Sequence, residues 1–121
     1  LAWLSTAVIA GRANGLDIID GVYNAFQDLD GFREECRQGR TLGMDGKTVI
    51  HPGQIAIANE VFAPGAEELA SARKIVAAFE QPENHEKGAI TIDGRMVELL
   101  HRDMARRTLD IHDAIMRMTA T

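Results

Sequence analysis

Asp20 and Gly21 follow a short isoleucine-containing run, Leu16 to Asp20. A carboxylate at the carboxyl end of a strand, next to a glycine that lets a ligand approach the backbone, would project where α/β enzymes keep their chemistry. The same Asp20 could instead cap a loop or a helix. Asp17 alternates away from the strand interior and reads as solvent-facing charge. His51 closes a second β-branched run, Thr48-Val49-Ile50. Imidazole titrates near neutrality, which makes acid-base chemistry one reading. The other, preferred for a His between Ile50 and Pro52, is that a ring hydrogen bond orients the loop. Lys47 could neutralise a phosphate or carboxylate, but it precedes the run and so falls at the amino end of the expected strand, the end of a βα repeat that serves stability. The four histidines, His51, His85, His101 and His112, show no His-x-x-x-His spacing, and none reads as a metal ligand.

These residues need elements to hold them. Leu1, Leu4 and Val8 recur at helical spacing, and Asn14-Gly15 supplies a stop. The strand over 16–20 follows. A helix capped by Asp28 or Asp30 then carries Leu29, Phe32 and Cys36 on one face and fades before Gly43. Gly43 and Gly46 permit a tight turn before a second strand, Thr48–Ile50, and Pro52 can end it and open a short helix over Gln54–Val61. The two strands start about thirty residues apart, the length of one βα repeat. Pro64-Gly65 interrupts. Glu67 and Glu68 then sit in the first turn of a helix, where the dipole favours them, with Leu69, Ala72, Val76 and Phe79 along its buried side.

Gln81 to Lys87 is polar and contains Pro82, so it reads as an exposed loop or linker. Ala89–Ile92 is a short extended segment and Asp93-Gly94 a turn. A helix is expected after it, bearing Val97, Leu100, Met104, Ile111, Ile115 and Met118 in rough 3-and-4 spacing. Such a stripe is packing surface before it is a cofactor site. The alternation of helix and strand predicts an α/β fold with parallel strands covered by helices. Two strands cannot bury a parallel sheet by themselves, so further strands are expected in a longer chain or a partner.

Bulk properties exclude several classes. A formal net charge of -5 with no basic stripe argues against a nucleic-acid or anionic-membrane surface. No apolar run approaches the roughly 18 residues that span a bilayer. The one cysteine, Cys36, cannot form an internal disulfide and is expected to be a small buried thiol. With no signal peptide at the start, a cytoplasmic location is expected.

The run Gly43-Met44-Asp45-Gly46-Lys47-Thr48-Val49-Ile50-His51-Pro52-Gly53-Gln54-Ile55 carries a resemblance when joined to three others: Ile19-Asp20-Gly21-Val22-Tyr23, Phe62-Ala63-Pro64 and Ile92-Asp93-Gly94-Arg95-Met96-Val97. Taken together and in this order, the chain resembles the citrate lyase beta-subunit and malyl-CoA lyase family of TIM-barrel enzymes. A whole barrel needs about 250 residues, so the resemblance implies the C-terminal part of a longer enzyme. On it, residues 1–82 are the last two βα units of a TIM (β/α)8 barrel and 83–121 a linker and small helical lid. The lid is expected to close over an active site of a neighbouring subunit in a homo-oligomer.

The resemblance implies an activity: cleavage of a 3-hydroxyacyl thioester, such as malyl-CoA, citramalyl-CoA or a citryl thioester on a carrier protein, into an acetyl thioester and a 2-oxo acid. It implies Ile19 and Asp20 as substrate contacts. It also implies Mg2+, held by a Glu and an Asp that match no motif in this chain, and an acid-gripping arginine that is likewise upstream. The family's lid motif runs roughly Gly-Lys-Met-Val-Asp, whereas this chain reads Gly94-Arg95-Met96-Val97-Glu98. Glu98 is therefore the implied catalytic carboxylate, one methylene longer than expected. A shift of an ångström in a catalytic oxygen can cost on the order of a hundredfold in rate. The competing reading of Glu98 is a helical ion pair with Arg102, worth about 0.3–0.5 kcal/mol. Two other functions stay open beside the lyase: a malyl-CoA thioesterase, and a non-catalytic oligomerisation and lid segment that is inactive alone.

Overall fold

A computed structural model describes residues 1–120. Its contacts divide the chain into two compact units, Leu1–Phe62 and Ala63–Thr121. The boundary expected near residue 82 falls inside the second unit.

In the first unit, α1 spans Ala2–Ala13 and ends at Asn14, followed by Gly15 with φ of 68°. Arg12 in its last turn complements the helix dipole and does more than that. Its guanidinium donates to the Gly43 carbonyl at 2.8 Å and to Asp45 Oδ1 at 2.6 Å, while Asp45 Oδ2 accepts the Ile18 N–H at 2.8 Å. One ion pair thus ties the helix end to the approaches of both strands.

Strand β1 is Ile19–Asp20 and β2 is Gly46–Lys47, paired in parallel with Ile19 opposite Gly46 and Asp20 opposite Lys47. Both are shorter than the sequence predicts, and β2 lies ahead of the expected Thr48–Ile50. The Thr48 N–H makes the last rung, to the Asp20 carbonyl at 3.0 Å. Beyond it the Ile50 N–H is captured by the Gln54 side chain, and Pro52 has no N–H to give. The β-branched residues Val49 and Ile50 are therefore exposed loop, at 37% and 49%.

Between the strands runs α2, Leu29–Leu42. Asp28 caps it by accepting the Gly31 N–H at 3.0 Å. At the other end Gly43 adopts φ of 100°, and the N–H groups of Gly43 and Met44 return to the carbonyls of Arg40 and Gly39. This is the paired closure that a left-handed glycine permits. After β2, a 3-10 turn at Pro52–Gln54 leads into α3, Ile55–Phe62. Phe32 and Cys36 of α2 pack on Ile57 and Ala58 of α3, with Tyr23, Val61 and Phe62 around them. Leu29, expected on this buried face, is exposed.

The second unit begins with α4, Ala66–Glu80, whose Leu69, Ala72 and Phe79 are buried. Strands β3, Ala89–Ile92, and β4, Arg95–Glu98, form an antiparallel hairpin with Ala89 opposite Glu98 and Ile92 opposite Arg95. Asp93 and Gly94 both take positive φ, 50° and 79°, as a tight hairpin turn requires. Val97 thus belongs to β4, not to a helix, and packs with Phe79 and Ile90. The long helix α5, Leu99–Thr119, follows and lays Arg102 over the Phe79 ring at 5.9 Å. Leu100, Met104 and Met118 of its apolar stripe are exposed. Among the described residues, no helix is long and apolar enough to cross a membrane.

Candidate functional site

Because β1 and β2 are parallel, the segments that leave them emerge at one end of the sheet. Residues 21–28 join β1 to α2, and residues 48–51 join β2 to the 3-10 turn. Parallel α/β sheets keep their chemistry at this end.

Ile19 is exposed. Asp20 is bonded within its own loop and to Lys47. Its Oδ1 accepts the Gly21 N–H at 2.9 Å, and its Oδ2 lies 3.1 Å from Lys47 Nζ. The carboxylate leans against α2 at Gly39, where an added Cβ would stand 3.0 Å from Oδ2. It is therefore engaged inside the fold and is no free carboxylate at the strand mouth. Lys47, which follows Gly46 in the ladder, inserts between the strands and α2 with its side chain only 1% exposed, and it also meets the Glu35 carboxylate. Burial by itself would push its ammonium down, but the hydrogen bonds and charges of Glu35 and Asp20 outweigh that and raise it. The buried thiol of Cys36 is pushed up, chiefly by desolvation.

His51 serves its loop. Its Nδ1 accepts the Gly53 N–H at 3.0 Å, which starts the 3-10 turn. Its ring stacks on Phe26, with centroids 4.9 Å apart and planes at 11°. This arrangement matches the orienting role and links two loops across the strand ends. Tyr23 is a second junction. Its hydroxyl donates to Asp28 Oδ2 at 2.8 Å, and its ring meets Phe32 edge-on at 6.1 Å. The Gly31 N–H, then the Tyr23 hydroxyl, hold the Asp28 carboxyl below its usual range, and the same bond raises the Tyr23 phenol.

Sequence reasoning missed Gln54. It is fully buried, its Oε1 accepting from the Ile50 N–H at 2.9 Å and its Nε2 donating to the Tyr23 carbonyl at 3.1 Å. A glutamine at a helix start gives no local sign of this, because one partner lies 31 positions away.

Glu98 sits in the second unit, at the junction of β4 and α5. Its N–H donates to His101 Nδ1 at 2.9 Å. Arg102 pairs with Asp103 at 3.1 Å, and the competing Glu98–Arg102 ion pair is not seen among the described residues. A cleft of about 570 Å3 beside the hairpin is lined by Lys74, Asp93, Arg95, Met96 and His101, among others, and Glu98 is not in its lining. In the first unit a cleft of about 350 Å3 lies between α2 and α3. Its arginines are engaged: Arg33 with Glu60 at 3.0 Å, Arg37 with Glu34, and Arg40 with the Val61 carbonyl.

The described residues do not fit a magnesium site. They hold no group of three or more His, Cys, Asp or Glu side chains able to enclose a metal. The Asp20 and Glu35 carboxylates already pair with Lys47.

Comparison with known proteins agrees with this architecture. Residues 5–113 match the model of the C–C bond lyases of the TIM-barrel fold. A (3S)-malyl-CoA thioesterase of Cereibacter sphaeroides is 53% identical over 112 residues, which cover 93% of this chain and 39% of that protein. An L-malyl-CoA/beta-methylmalyl-CoA lyase of the same species is 43% identical, covering 80% and 31%. The crystal structure of CitE from Mycobacterium tuberculosis, in complex with magnesium, acetoacetate and coenzyme A, superposes with a TM-score of 0.69 at 33% identity, covering 88% of this chain and 39% of that one. A citrate lyase structure from Burkholderia xenovorans LB400, 20% identical with a TM-score of 0.72, shares the fold. The chain spans about two-fifths of the length of the thioesterase relatives it matches, between 39% and 42%. With strand-end loops, parallel pairing and family match in agreement, this chain belongs to the TIM-barrel C–C bond lyase family of the citrate lyase beta subunit and malyl-CoA lyase, as part of the C-terminal region of its barrel.

Proposed function

We propose that the protein carrying this chain is a magnesium-dependent carbon-carbon lyase acting on a 3-hydroxyacyl thioester such as malyl-CoA, citramalyl-CoA or a citryl thioester. The observation that supports this reading is the lyase-family match over residues 5–113. In the reaction the 3-hydroxyl loses its proton and becomes the carbonyl of the 2-oxo acid. The bond between C2 and C3 breaks, its electrons pass into the thioester as an enolate, and C2 takes a proton to give the acetyl thioester. The metal and the acid-binding arginine are assigned to parts of the protein outside this chain.

Within this chain, Ile19 and the backbone at Asp20-Gly21 would shape the thioester pocket. Glu98 would close a neighbouring subunit's pocket in a homo-oligomer. The exposed Leu100 and Met104 of α5, at 62% and 58%, suit such a lid. Free CoA and a carrier-protein thioester are both admissible substrates.

A second reading, thioester hydrolysis, is favoured by the 53% identity to a (3S)-malyl-CoA thioesterase. The intact protein, given malyl-CoA with and without Mg2+, separates the two. A lyase releases acetyl-CoA and a 2-oxo acid, whereas a thioesterase releases malate and free CoA thiol. Absence of both products would leave the lid and oligomerisation segment as the surviving account. Glu98→Ala is expected to lower turnover by about a hundredfold if the carboxylate must be positioned; undiminished turnover removes Glu98 from the mechanism.

A further inference from the structure

We infer that Gln54 is a positioning residue that locks the loop leaving β1 to the loop leaving β2, and so sets the backbone against which the thioester binds. This inference rests on the strand-end loops being the substrate face, as proposed above. The geometry that carries it is a side-chain amide with no solvent exposure whose two ends reach different loops. Burying an amide is unfavourable unless its donors and acceptor are used. Here the chemistry of the partners fixes its orientation. The Ile50 N–H can only donate, so it takes Oε1, and the Tyr23 carbonyl can only accept, so it takes Nε2.

A second, independent tie joins the same two loops. Phe26, from the loop after β1, stacks on His51, from the loop after β2. The His51 ring is itself held by the Gly53 N–H. Tyr23 then carries the constraint onward: its carbonyl is held by Gln54, its hydroxyl by the Asp28 cap of α2, and its ring by Phe32. Gly21 and Val22 are the residues between this anchored Tyr23 and the strand end at Asp20. Releasing the Tyr23 carbonyl frees one side of that short span, while the amide is not itself a member of the apolar cluster of Phe32, Cys36, Ile57 and Ala58.

The test uses the intact protein and two variants. Gln54→Met keeps the length of the side chain and removes both bonds. Gln54→Glu keeps the acceptor for Ile50 and loses the donor to Tyr23. Hydrogen exchange should rise about tenfold across 21–28 in both variants, and across 49–51 in Gln54→Met, if each bond holds its loop. With malyl-CoA, KM should rise about tenfold while kcat stays within about threefold, the signature of lost ground-state binding. Val8→Ala, which loosens the packing of α1 remote from these loops, should leave KM unchanged. Unaltered exchange over 21–28, or unaltered KM in an active enzyme, overturns the inference. If the wild-type protein turns over no such thioester, the functional reading has failed and the exchange over 21–28 alone decides the lock. Should neither Gln54 variant fold, Phe26→Leu, which weakens the second tie, is read by the same two measurements.

Discussion

Lys47→Met removes a cation that two carboxylates depend on and keeps most of the volume of its stem. Lys47 Nζ lies 3.1 Å from Asp20 Oδ2, and the side chains are 1% and 14% exposed. At an effective dielectric near 20 the attraction at that separation is about 5 kcal/mol before dehydration is charged against it. Deleting one member of a buried pair usually costs about 3–5 kcal/mol, because the remaining charge stays behind without its partner. Glu35, the other carboxylate, is 37% exposed and can recover water, so the lower figure, about 3 kcal/mol, is the one expected. Urea unfolding followed by far-UV circular dichroism reads the loss. Adding Asp20→Asn to Lys47→Met should recover about half of it, since the amide needs no cation and can still accept the Gly21 N–H. The pH dependence has a definite sign. The folded ammonium is raised above its ordinary value of 10.5, so its contribution is complete below about pH 10.5 and fades as pH climbs through the higher folded value. Lys47→Met should abolish that alkaline loss. A variant within about 0.5 kcal/mol of wild type, or one that Asp20→Asn fails to rescue, would refute the reasoning.

Three further outcomes are expected. Gly43→Ala should cost about 1–2 kcal/mol, because φ is 100° there and the new Cβ would stand 3.3 Å from Val8 Cγ1; a melting curve like that of the wild type contradicts it. Cys36 should resist an aromatic disulfide reagent in the native state and react at once in urea, since it is fully buried and its thiol is pushed up by desolvation; rapid native labelling would show that the helix pair opens easily. The cap of α2 should weaken in acid. Asp28 is held below its ordinary 3.8, so its contribution is present above that value and is lost as pH falls through the lower folded one. The protection factor of the Gly31 amide, with the intrinsic pH dependence of exchange divided out, should fall down that pH range in the wild type and stay level in Asp28→Ala.

The helices were legible in the chain because what makes them is local. The Asp28 cap, the Gly43 stop, the Phe32 and Cys36 spacing and the acidic first turn at Glu67 and Glu68 all lie within a few residues of what they act on. The order of the four motifs was likewise enough to place the family. Strands were harder to read, since pairing partners are distant. The β-branched look of Thr48-Val49-Ile50 outweighed the less apolar Gly46-Lys47, although the latter pair carries the ladder opposite Ile19 and Asp20. Val97 met the helical spacing equally well and belongs to a hairpin set by the Asp93-Gly94 turn and by its partner Ile90.

The candidate site divides along the same line. His51 as a loop-orienting residue follows from its neighbour Pro52 and its short-range bond to Gly53. By itself the sequence determined the helices, the parallel α/β class and the family, because caps, periodicity and motif order are properties of neighbouring residues. Only the tertiary structure decided that the Asp20 carboxylate turns inward to Lys47 and Glu35, and that Gln54 joins two loops. Those depend on groups between 12 and 31 positions apart in the sequence meeting around Lys47 and Gln54, whose side chains are too deeply buried to be left unpaired.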